Sequence, residues 1–526
     1  MIHRRDFLRT TGAFGAVLAL SQHEAFAQNA PSRLTVLSVP EPHNLVAGLF
    51  MAQPNNGVSR NIFDGLVTYD EKTNAPIPEL AESWTFSSDR KSVRFKLRRG
   101  VKWHDGVEFT SADVAYSFPI TTKTNQLTAP SFTHLTAVEA IDRYTVELRF
   151  SQLPPTLFDV LHSIGAQILP RHLYEGKDPL QNPLNLAPVG NGPYRFAEWV
   201  KGSHVKLVRN PDYWDRSRGL VEEVVFRVLP DAGARVIALE AGEAQFGPAT
   251  PVPLAEAKRI EADPKSRLRV LRDAYSGNPT VLLTLNLERP VFKDLRARQA
   301  IAHAINKQTL ADVAFSGFAT PATGHVLKSQ TRFYTPDTRQ YAYDPKLANK
   351  LLDEAGLQRD KSGIRFKVDT LPLPYGDDFV RSAQLIQQNL RAVGIALDIK
   401  PVDIATWSRR VRDGEFDTTT NYYWGEVDPQ LGVFRRFWSK SPVRKNGGNP
   451  SAYVSAEMDR LIEAALVELD VDKRRTLIWD IQKLAQQDLP SIALLDLQQI
   501  KVVSKSIEGY PVGPDLSISK VRFVGA

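Results

Sequence analysis

The 526-residue chain is too long for one hydrophobic core and, at roughly 150 residues per domain, predicts about three domains. Its 42% hydrophobic and 24% charged residues are typical of a globular protein, and its net charge of +7 comes from basic residues interspersed with acidic ones, which favours solubility over a nucleic-acid partner. The absence of cysteine excludes disulfides, thiolate metal sites and a lipid on an N-terminal cysteine.

The first 27 residues carry the three parts of a secretory signal peptide: a basic head with the pair Arg4-Arg5, a short apolar stretch, and an A-x-A sequence that ends at Ala27. The arginine pair followed by Asp-Phe-Leu resembles the bacterial twin-arginine signal, whose export route carries folded proteins. The apolar stretch is about half of the ~20 residues that a membrane-spanning helix needs. We therefore expect export to the periplasm, cleavage near Ala27 and no lipid anchor.

The next predicted element is a buried strand, "RLTVLSV", followed by a loop rich in Pro and Asn, "PEPHNLVAGLFMAQPNN". A loop of this kind directly after a buried strand is a candidate binding loop. Its first polar residues are Glu41, His43 and Asn44. Their alternative role is to cap the loop backbone.

A β-rich region follows, in which "VRFKLRRGVKW" and "YTVELRF" alternate apolar and polar residues as half-buried strands do. Within it, "GVKWHDGVEFT" places His104 beside Asp105, a pair that could be catalytic or bind a metal. The segment offers no nucleophile or third orienting group, whereas Asp105-Gly106 is a strong hairpin signal. Thr110 and Asp113 form a capping box for a following helix. The pattern favours a hairpin over a catalytic pair.

A loop-rich stretch from about 180 to 215 separates this region from the rest of the chain. After "TVLLTLNLERP", helical segments such as "DFVRSAQLIQQNLRAVG" and "DKRRTLIWDIQKLAQQD" alternate with strand-like runs such as "IRFKVDTL" and "IALDIK". Helices that alternate with strands predict an α/β unit in which the helices pack on a sheet.

The usual signatures of catalysis and nucleotide binding are missing from the sequence. It has no Walker A loop, no dinucleotide-binding glycine fingerprint, no nucleophile elbow and no H-E-x-x-H. The ten histidines show no pairing at the helical i, i+4 spacing, which argues against a preformed multi-histidine metal site. We expect no catalytic residues, no metal site and no cofactor.

Four long blocks, in order along the chain, carry a family resemblance. They are "LAESWTFSSDRKSVRFKLRRGVKWHDGVEFTSADVAYSF", "PVGNGPYRFAEWVKGSHVKLVRNPDYW", "RPVFKDLRARQAIAHAINKQTL" and "MDRLIEAALVELDVDKRRTLIWDIQKLAQQDLPSI". Together they resemble the extracellular solute-binding proteins of family 5, the peptide and nickel class that serves ABC importers. The resemblance covers essentially the whole chain after the signal peptide.

The resemblance implies an α/β fold: a two-lobed periplasmic-binding-protein clamshell, type II-like and of cluster C, with an extra β-rich domain inserted in the first lobe. A small-molecule or short-peptide ligand would bind between the lobes. The closed form would be recognised by a membrane permease and, through it, by the ATPase subunits. The protein is expected to be a monomer. The implied boundaries are 1–27 for the signal peptide, 28–70 with 190–275 and 495–526 for lobe I, 71–189 for the inserted domain and 276–494 for lobe II.

The resemblance also implies ligand-binding positions. Dipeptide-binding members hold the ammonium group of the ligand with an aspartate shortly before an Asp-Pro pair, and Asp428-Pro429 matches that pair here. The position of the aspartate holds Gly425, and Glu426 is the nearest acid. The position of the arginine that binds the ligand carboxylate holds Leu373.

Aromatic residues complete the set of predicted ligand contacts. Tyr422, Tyr423 and Trp424 precede the Asp-Pro pair, and Trp407 lies upstream. Such side chains stack on sugars, aromatic acids or peptide side chains and cover cations. Their alternative role is core packing, and because successive strand residues point to opposite faces, at most about half should reach the cleft. The three polar residues after the first strand are expected to face the same cleft.

The sequence therefore predicts a periplasmic substrate-binding component of an ABC importer, with a peptide or peptide-like solute as the default for the family. Opines, small glycosides and a nickel chelate remain alternative ligands, which the aromatic residues and His43 would serve as well. An exported cofactor enzyme is the competing class. A sensory or chaperone-like binder on the same scaffold is not separated from a transport protein by sequence.

Overall fold

The structure is a computed structural model, which describes residues 33–50, 52–70, 75–125, 128–273, 278–441, 448–511 and 517–524. The predicted signal peptide lies outside the described residues. Among the residues that are described, no helix is long and apolar enough to cross a membrane.

The described chain contains both strands and helices. The strands are β1 (Arg33–Ser38), β2 (Val67–Tyr69), β3 (Pro76–Pro78), β4 (Ala81–Phe86), β5 (Ser92–Leu97), β6 (Leu135–Asp142), β7 (Thr145–Phe150), β8 (Tyr194–Val200), β9 (His204–Arg209), β10 (Glu223–Val228), β11 (Phe246–Gly247), β12 (Leu268–Asp273), β13 (Pro279–Leu285), β14 (Ala319–Pro321), β15 (Phe366–Leu371), β16 (Ile395–Ile399), β17 (Thr418–Trp424), β18 (Ser491–Leu497), β19 (Gln499–Ser504), β20 (Ile507–Glu508) and β21 (Arg522–Phe523).

The helices are α1 (Gln53–Ile62), α2 (Ser111–Thr124), α3 (Leu157–Val160), α4 (Arg171–Tyr174), α5 (Ala232–Glu240), α6 (Leu254–Ala262), α7 (Pro290–Lys293), α8 (Leu295–Ala304), α9 (Lys307–Thr309), α10 (Pro345–Glu354), α11 (Asp377–Ala392), α12 (Ile404–Asp413), α13 (Pro429–Gly432), α14 (Ala456–Val467) and α15 (Val471–Asp488). Short 3₁₀ turns span Ala129–Phe132, Pro183–Asn185 and Phe434–Arg436, and a π-helical turn spans Leu310–Ala314.

Three sheets organise these elements. A seven-stranded sheet has the order β12-β19-β11-β1-β10-β9-β8, and a six-stranded sheet has the order β14-β18-β13-β17-β15-β16. A four-stranded antiparallel sheet, β4-β5-β7-β6, is built from the β-rich region. Apolar cores cover both faces of the six-stranded sheet, and Tyr422 and Tyr423 belong to different ones. The seven-stranded and four-stranded sheets share a continuous core.

Parallel strands give each large sheet one edge where most strands end. In the seven-stranded sheet β1 runs parallel to β10 and β11, and β19 runs antiparallel to β11 and β12. In the six-stranded sheet β15 runs parallel to β16 and β17, while β13 runs antiparallel to β17 and β18. The chain passes from β18 to β19 through Gln498 alone. The two carboxyl edges therefore face each other at this crossing.

Local patterns in the sequence are confirmed in the β-rich region. In β5, Val93, Phe95 and Leu97 are buried while Arg94 and Lys96 point outward, as the alternation predicts. This outward face is why the basic residues there form a solvated surface.

The predicted hairpin and capping box are also present. Lys102 pairs with Glu108 across a turn in which Gly106 has a φ of 92°. Helix α2 then begins after Thr110, whose backbone N–H donates to Asp113 Oδ2 at 2.8 Å.

Candidate ligand-binding cleft

The site is built where the carboxyl edges of the two large sheets meet. Asn278, just before β13, links them: its carbonyl accepts from the Gly425 N–H at 3.0 Å, and its side-chain Oδ1 accepts from the Gln499 N–H at 3.3 Å. Gly425 follows β17 in one sheet, and Gln499 begins β19 in the other. In α/β sheets ligands bind in the crevice outside the carboxyl ends of the strands, which makes this junction the candidate cleft.

The seven-stranded sheet contributes an apolar cavity of about 120 Å³ beside the ends of β1 and β11. Val39, Phe246 and Thr250 are among its lining residues. Arg235, on α5, also lines it, and its guanidinium donates to carbonyls of the surrounding loops, Leu229 O among them at 3.0 Å. This arginine therefore holds the cavity wall together.

The six-stranded sheet contributes an aromatic cluster at the ends of β15 and β17. The ring centroid of Tyr422 lies 5.8 Å from that of Tyr375, 6.1 Å from that of Phe379 and 5.6 Å from that of Trp424. Tyr375 is 58% exposed, so this cluster offers an accessible aromatic surface. Tyr375 and Phe379 were not predicted from the sequence. Their signal is the aromatic pair that flanks Gly376 at the start of α11.

Tyr423 points away from this cluster. It is 2% exposed, and its hydroxyl donates to His325 O in the core on the opposite face of the sheet. Alternation along β17 therefore brings Tyr422 and Trp424 to one face and removes Tyr423 to the other.

Trp407 and Leu373 both belong to the core. The Trp407 indole, on α12, donates from Nε1 to Thr419 Oγ1 at 3.2 Å, near the amino end of β17 and away from the carboxyl edge of the sheet, and is 8% exposed. This placement favours packing for Trp407. Leu373 is 2% exposed, and its backbone N–H donates to Thr420 Oγ1. The position at which the resemblance implies an arginine is therefore occupied by a core side chain.

Asp428 is fully engaged by its own chain. It is 0% exposed, its two carboxylate oxygens accept from the guanidinium of Arg474, and Oδ1 also caps α13 by accepting from the Gln430 N–H at 2.9 Å. Neither oxygen remains for a ligand. The geometry thus favours a structural role, fixing α13 to α15.

The three polar residues after β1 differ in whether the protein itself binds their side chains. Glu41 accepts from Trp199 Nε1 and from the Gly202 N–H, both at 3.0 Å, and the backbone hydrogen bond is the main reason that its pKa is lowered. Asn44 is buried and accepts from the Val46 N–H at 2.6 Å. His43 has an exposed side chain. Glu41 therefore holds the turn between β8 and β9, and Asn44 caps its own loop, which was the alternative role.

Glu426 follows β17 directly, at the mouth of the cleft. Burial raises its pKa to about 7, and the nearby Arg435 guanidinium lowers that pKa only in part. Its carboxylate makes no hydrogen bond or ion pair with any residue in the described part of the chain. The backbone carbonyl of Glu426 accepts from Gln330 Nε2. A half-buried carboxylate without a partner is suited to a cationic group of a ligand.

A second cavity, of about 490 Å³, opens beside Glu426. It lies between the four-stranded sheet and the loops at 329–332 and 427, and is lined by Trp84, Phe158 and Arg332, among others. Asp159 also lines it, with Arg332 Nη1 3.7 Å from its Oδ1. Burial, reinforced by the charge of Asp428, raises the pKa of Asp159 to about 7. This cavity combines aromatic walls with one acidic and one basic group.

Among the described residues, no three His, Asp or Glu side chains come together in a way that could hold a metal ion.

Residues 75–445 match the profile of the bacterial extracellular solute-binding proteins, family 5 Middle. The chain is 26% identical to the dipeptide-binding protein of Escherichia coli, with 97% of this chain and 98% of that protein covered. It is 29% identical to the glutathione-binding protein GsiB of Pectobacterium atrosepticum, with 88% of each covered.

Among solved structures, NikZ from Campylobacter jejuni in complex with Ni(L-His) superposes with a TM-score of 0.79 at 24% identity, covering 92% of this chain and 96% of that one. The likeness confirms the predicted α/β fold of a periplasmic binding protein.

Proposed function

The chain belongs to the bacterial extracellular solute-binding proteins of family 5, and on that basis we propose that it is the substrate-binding component of an ABC importer, which captures a peptide or peptide-like solute. The observation that carries this proposal is the junction of two carboxyl edges, where the aromatic cluster around Tyr422 has an exposed member, Tyr375, and where the Glu426 carboxylate after β17 makes no hydrogen bond or ion pair among the described residues. A solute in this position touches both large sheets and thereby couples its binding to their relative movement.

The domain boundaries proposed for this mechanism follow the sheets. Lobe I, residues 28–70, 190–275 and 495–526, contains the seven-stranded sheet, and lobe II, residues 276–494, contains almost all of the six-stranded sheet. The inserted domain, 71–189, contains the four-stranded sheet. Because β18 continues to Leu497, the sheet supports moving the last boundary to Gln498.

Binding would favour the closed form because a solute between the lobes contacts both of them only when they are together. Each tenfold preference of the solute for the closed form shifts the equilibrium by about 1.4 kcal/mol. The closed surface would then be recognised by the permease and, through it, by the ATPase subunits. We also propose that the protein reaches the periplasm by a twin-arginine route, loses residues 1–27, carries no lipid and acts as a monomer without catalytic activity.

Within the cleft, we assign three contacts to the solute. Tyr422 and Trp424 would pack against its side chains, and Glu426 would bind its ammonium group. The positions of the dipeptide clamp in the resemblance hold Gly425 and Leu373, so the solute is held differently here. An opine, a glycoside or a nickel chelate would use the same aromatic surface. Thermal unfolding in the presence of one compound from each class separates these possibilities.

Thermal unfolding of the purified chain tests the proposal with a panel of compounds. The panel contains a dipeptide, a tetrapeptide, glutathione, an opine, a small glycoside and the nickel complex of L-histidine. A peptide at a hundred times its Kd should stabilise the folded state by about 2.7 kcal/mol. Stabilisation by peptides or glutathione supports the proposal. Stabilisation by the opine, glycoside or nickel complex alone would retain the family role and replace the ligand class.

A further inference from the structure

Arg436 is a buried arginine whose donors are largely unused. The side chain is 6% exposed, and among described residues it donates from Nη2 to Tyr422 O at 3.3 Å. Its Nε and Nη1 are buried and have no hydrogen-bond partner in the part of the chain that the structure describes. The guanidinium carbon lies 5.2 Å from the ring centroid of Tyr423. Burying a charged group whose donors lack acceptors is strongly unfavourable, which suggests that another group completes this arrangement.

Two other buried arginines show what a purely structural arginine looks like in this chain. Arg474 is 2% exposed and donates to both oxygens of Asp428 and, from Nε, to a carbonyl of α14. Arg298 is 9% exposed and donates from Nε and Nη2 to Asp488 O and from Nη1 to two carbonyls of α7. Every nitrogen of both guanidinium groups is bound. Arg436 therefore differs from them in pairing and not in burial.

The backbone of β17 shows which edge of the sheet the bound donor of Arg436, Nη2, reaches. In an antiparallel pair, the backbone groups of alternate residues point to the partner strand. Because the Gly425 N–H donates to Asn278 O beside β13, the backbone groups of Tyr422 point to the other side, toward β15. Strand β15 pairs with β17 only as far as Leu371. Nη2 of Arg436 thus reaches the edge of β17 beyond the end of β15, at the carboxyl ends of two parallel strands, which is where ligands bind in sheets of this kind, while the guanidinium carbon lies against the Tyr423 ring.

Two more charged groups lie near the end of β17: Arg435, whose charge acts on Arg436, and Glu426, on which the charge of Arg435 also acts. Arg435 has a buried Nε without a hydrogen-bond partner among the described residues. Its charge acts on both Arg436 and Glu426, yet no ion pair joins any two of the three within the described chain. The end of β17 therefore holds two guanidinium groups and one carboxylate that are close but not paired with one another.

We propose that Arg436, assisted by Arg435, binds a carboxylate of the captured solute while Glu426 binds its ammonium group, so that the cleft selects a zwitterion. This inference rests on the proposed function, because it requires the solute to occupy the crevice at the end of β17. It assigns the carboxylate contact to the segment after α13. The carboxylate of the solute would supply the hydrogen-bond acceptors that Arg436 Nε and Nη1 lack among the described residues.

The first test is the stability of the purified chain without any solute, measured by chemical denaturation. Arg436→Met keeps an unbranched side chain of similar reach and removes the buried charge. Its stability should equal or exceed that of the wild type, because no ion pair is broken. Arg474→Met is the matched control and should be clearly destabilised, because Asp428 loses its partner. An Arg436→Met protein that is destabilised as much as Arg474→Met would overturn the proposal.

The second test is calorimetric binding of Ala-Phe and of its C-terminal amide to the wild type and to Arg436→Met. The wild type should bind the free acid about tenfold or more tightly than the amide, and Arg436→Met should bind both with the same, weaker affinity. Equal affinity of the wild type for acid and amide contradicts the carboxylate contact while leaving the peptide-binding role intact. If no compound of the panel binds, the peptide role fails, and the comparison of the two methionine variants still decides whether Arg436 is a structural residue.

Discussion

Two regions of this chain place charged or titratable side chains next to one another, and they differ in how those side chains are paired. In the hairpin at 103–107, His104 Nδ1 accepts from the Gly190 N–H at 3.1 Å and Nε2 donates to Gly192 O at 3.0 Å. Asp105 pairs with His172 at 2.6 Å. At the end of β17, by contrast, Arg436 Nε and Nη1 have no hydrogen-bond partner among the described residues, and the Glu426 carboxylate has no hydrogen bond or ion pair there.

The comparison shows that residue type alone does not identify a site. The His-Asp pair has the composition of a catalytic dyad, yet both side chains are bound by their own chain, His104 by the loop at 190–192 and Asp105 by His172. The segment after β17 has an unremarkable composition, and its charged groups are left available. A candidate binding site is recognised here by buried charged side chains that the fold leaves without ion pairs.

Asp428→Asn should produce the largest loss of stability, since it breaks the buried ion pair with Arg474 beside the cleft. Removing one partner of a buried pair costs about 3–5 kcal/mol. Urea denaturation measures this loss, and the refolded fraction of Asp428→Asn should bind solute with unchanged affinity. A stable Asp428→Asn protein with weakened binding would move Asp428 into the ligand site.

Neighbouring aromatic residues on β17 separate packing from binding. Tyr423→Ala should lower stability by about 3–5 kcal/mol, because it opens a cavity in the core. Trp424→Ala should leave most of the stability intact and weaken solute binding by more than about tenfold. Calorimetry and thermal unfolding of the two variants check this contrast. A collapse in the melting temperature of Trp424→Ala, with affinity unchanged, assigns Trp424 to packing.

The hairpin histidine gives a pH dependence that does not involve the ligand. Burial lowers the pKa of His104 from 6.5 to about 4, so the unfolded chain takes up a proton before the folded chain does as the pH falls. The neutral histidine therefore contributes stability that is lost below about pH 6.5, amounting to about 3 kcal/mol at pH 4. The difference in stability between wild type and His104→Gln should narrow over this range. If the difference in free energy of unfolding between the wild type and His104→Gln stays constant from pH 7 to pH 4, the lowered pKa of His104 is wrong.

A smaller pH effect should appear in binding itself. Burial raises the pKa of Glu426 to about 7, so the carboxyl is protonated in the empty cleft below that pH and must ionise to bind an ammonium group. The affinity for a dipeptide should rise with pH by less than about tenfold per unit up to pH 7 and then level off. Glu426→Gln should bind more weakly and lack this rise. Calorimetry between pH 5.5 and about 7.5, where the dipeptide keeps its ammonium charge, provides the measurement.

Much of the fold was predictable because its determinants are local. The alternation of β5, the glycine of the hairpin and the capping box before α2 each depend on residues a few positions apart. The order of the two lobes and the inserted domain along the chain was predicted from the four blocks of the resemblance, because these blocks extend over most of the chain.

The site was predictable only in part, because pairing depends on residues far apart in sequence. His172 and Arg474 satisfy Asp105 and Asp428 from distant elements, and neither partner is visible in the local pattern. Trp407 looked like a ligand contact because aromatic residues suit both roles. The early end of β15 leaves the Tyr422 carbonyl to Arg436 Nη2, and no local motif encodes where β15 ends. The signal that was available is a pair of arginines within an apolar segment, "GVFRRFW".

The central claim is that the solute binds at the end of β17 between the two carboxyl edges, and a crystal structure of the chain with the panel compound that stabilises it most tests this directly. The account predicts electron density for the solute against Tyr422 and Trp424, with its carboxylate within hydrogen-bond distance of Arg436. Density confined to the cavity beside Asp159, or to the apolar cavity beside Arg235, would contradict it.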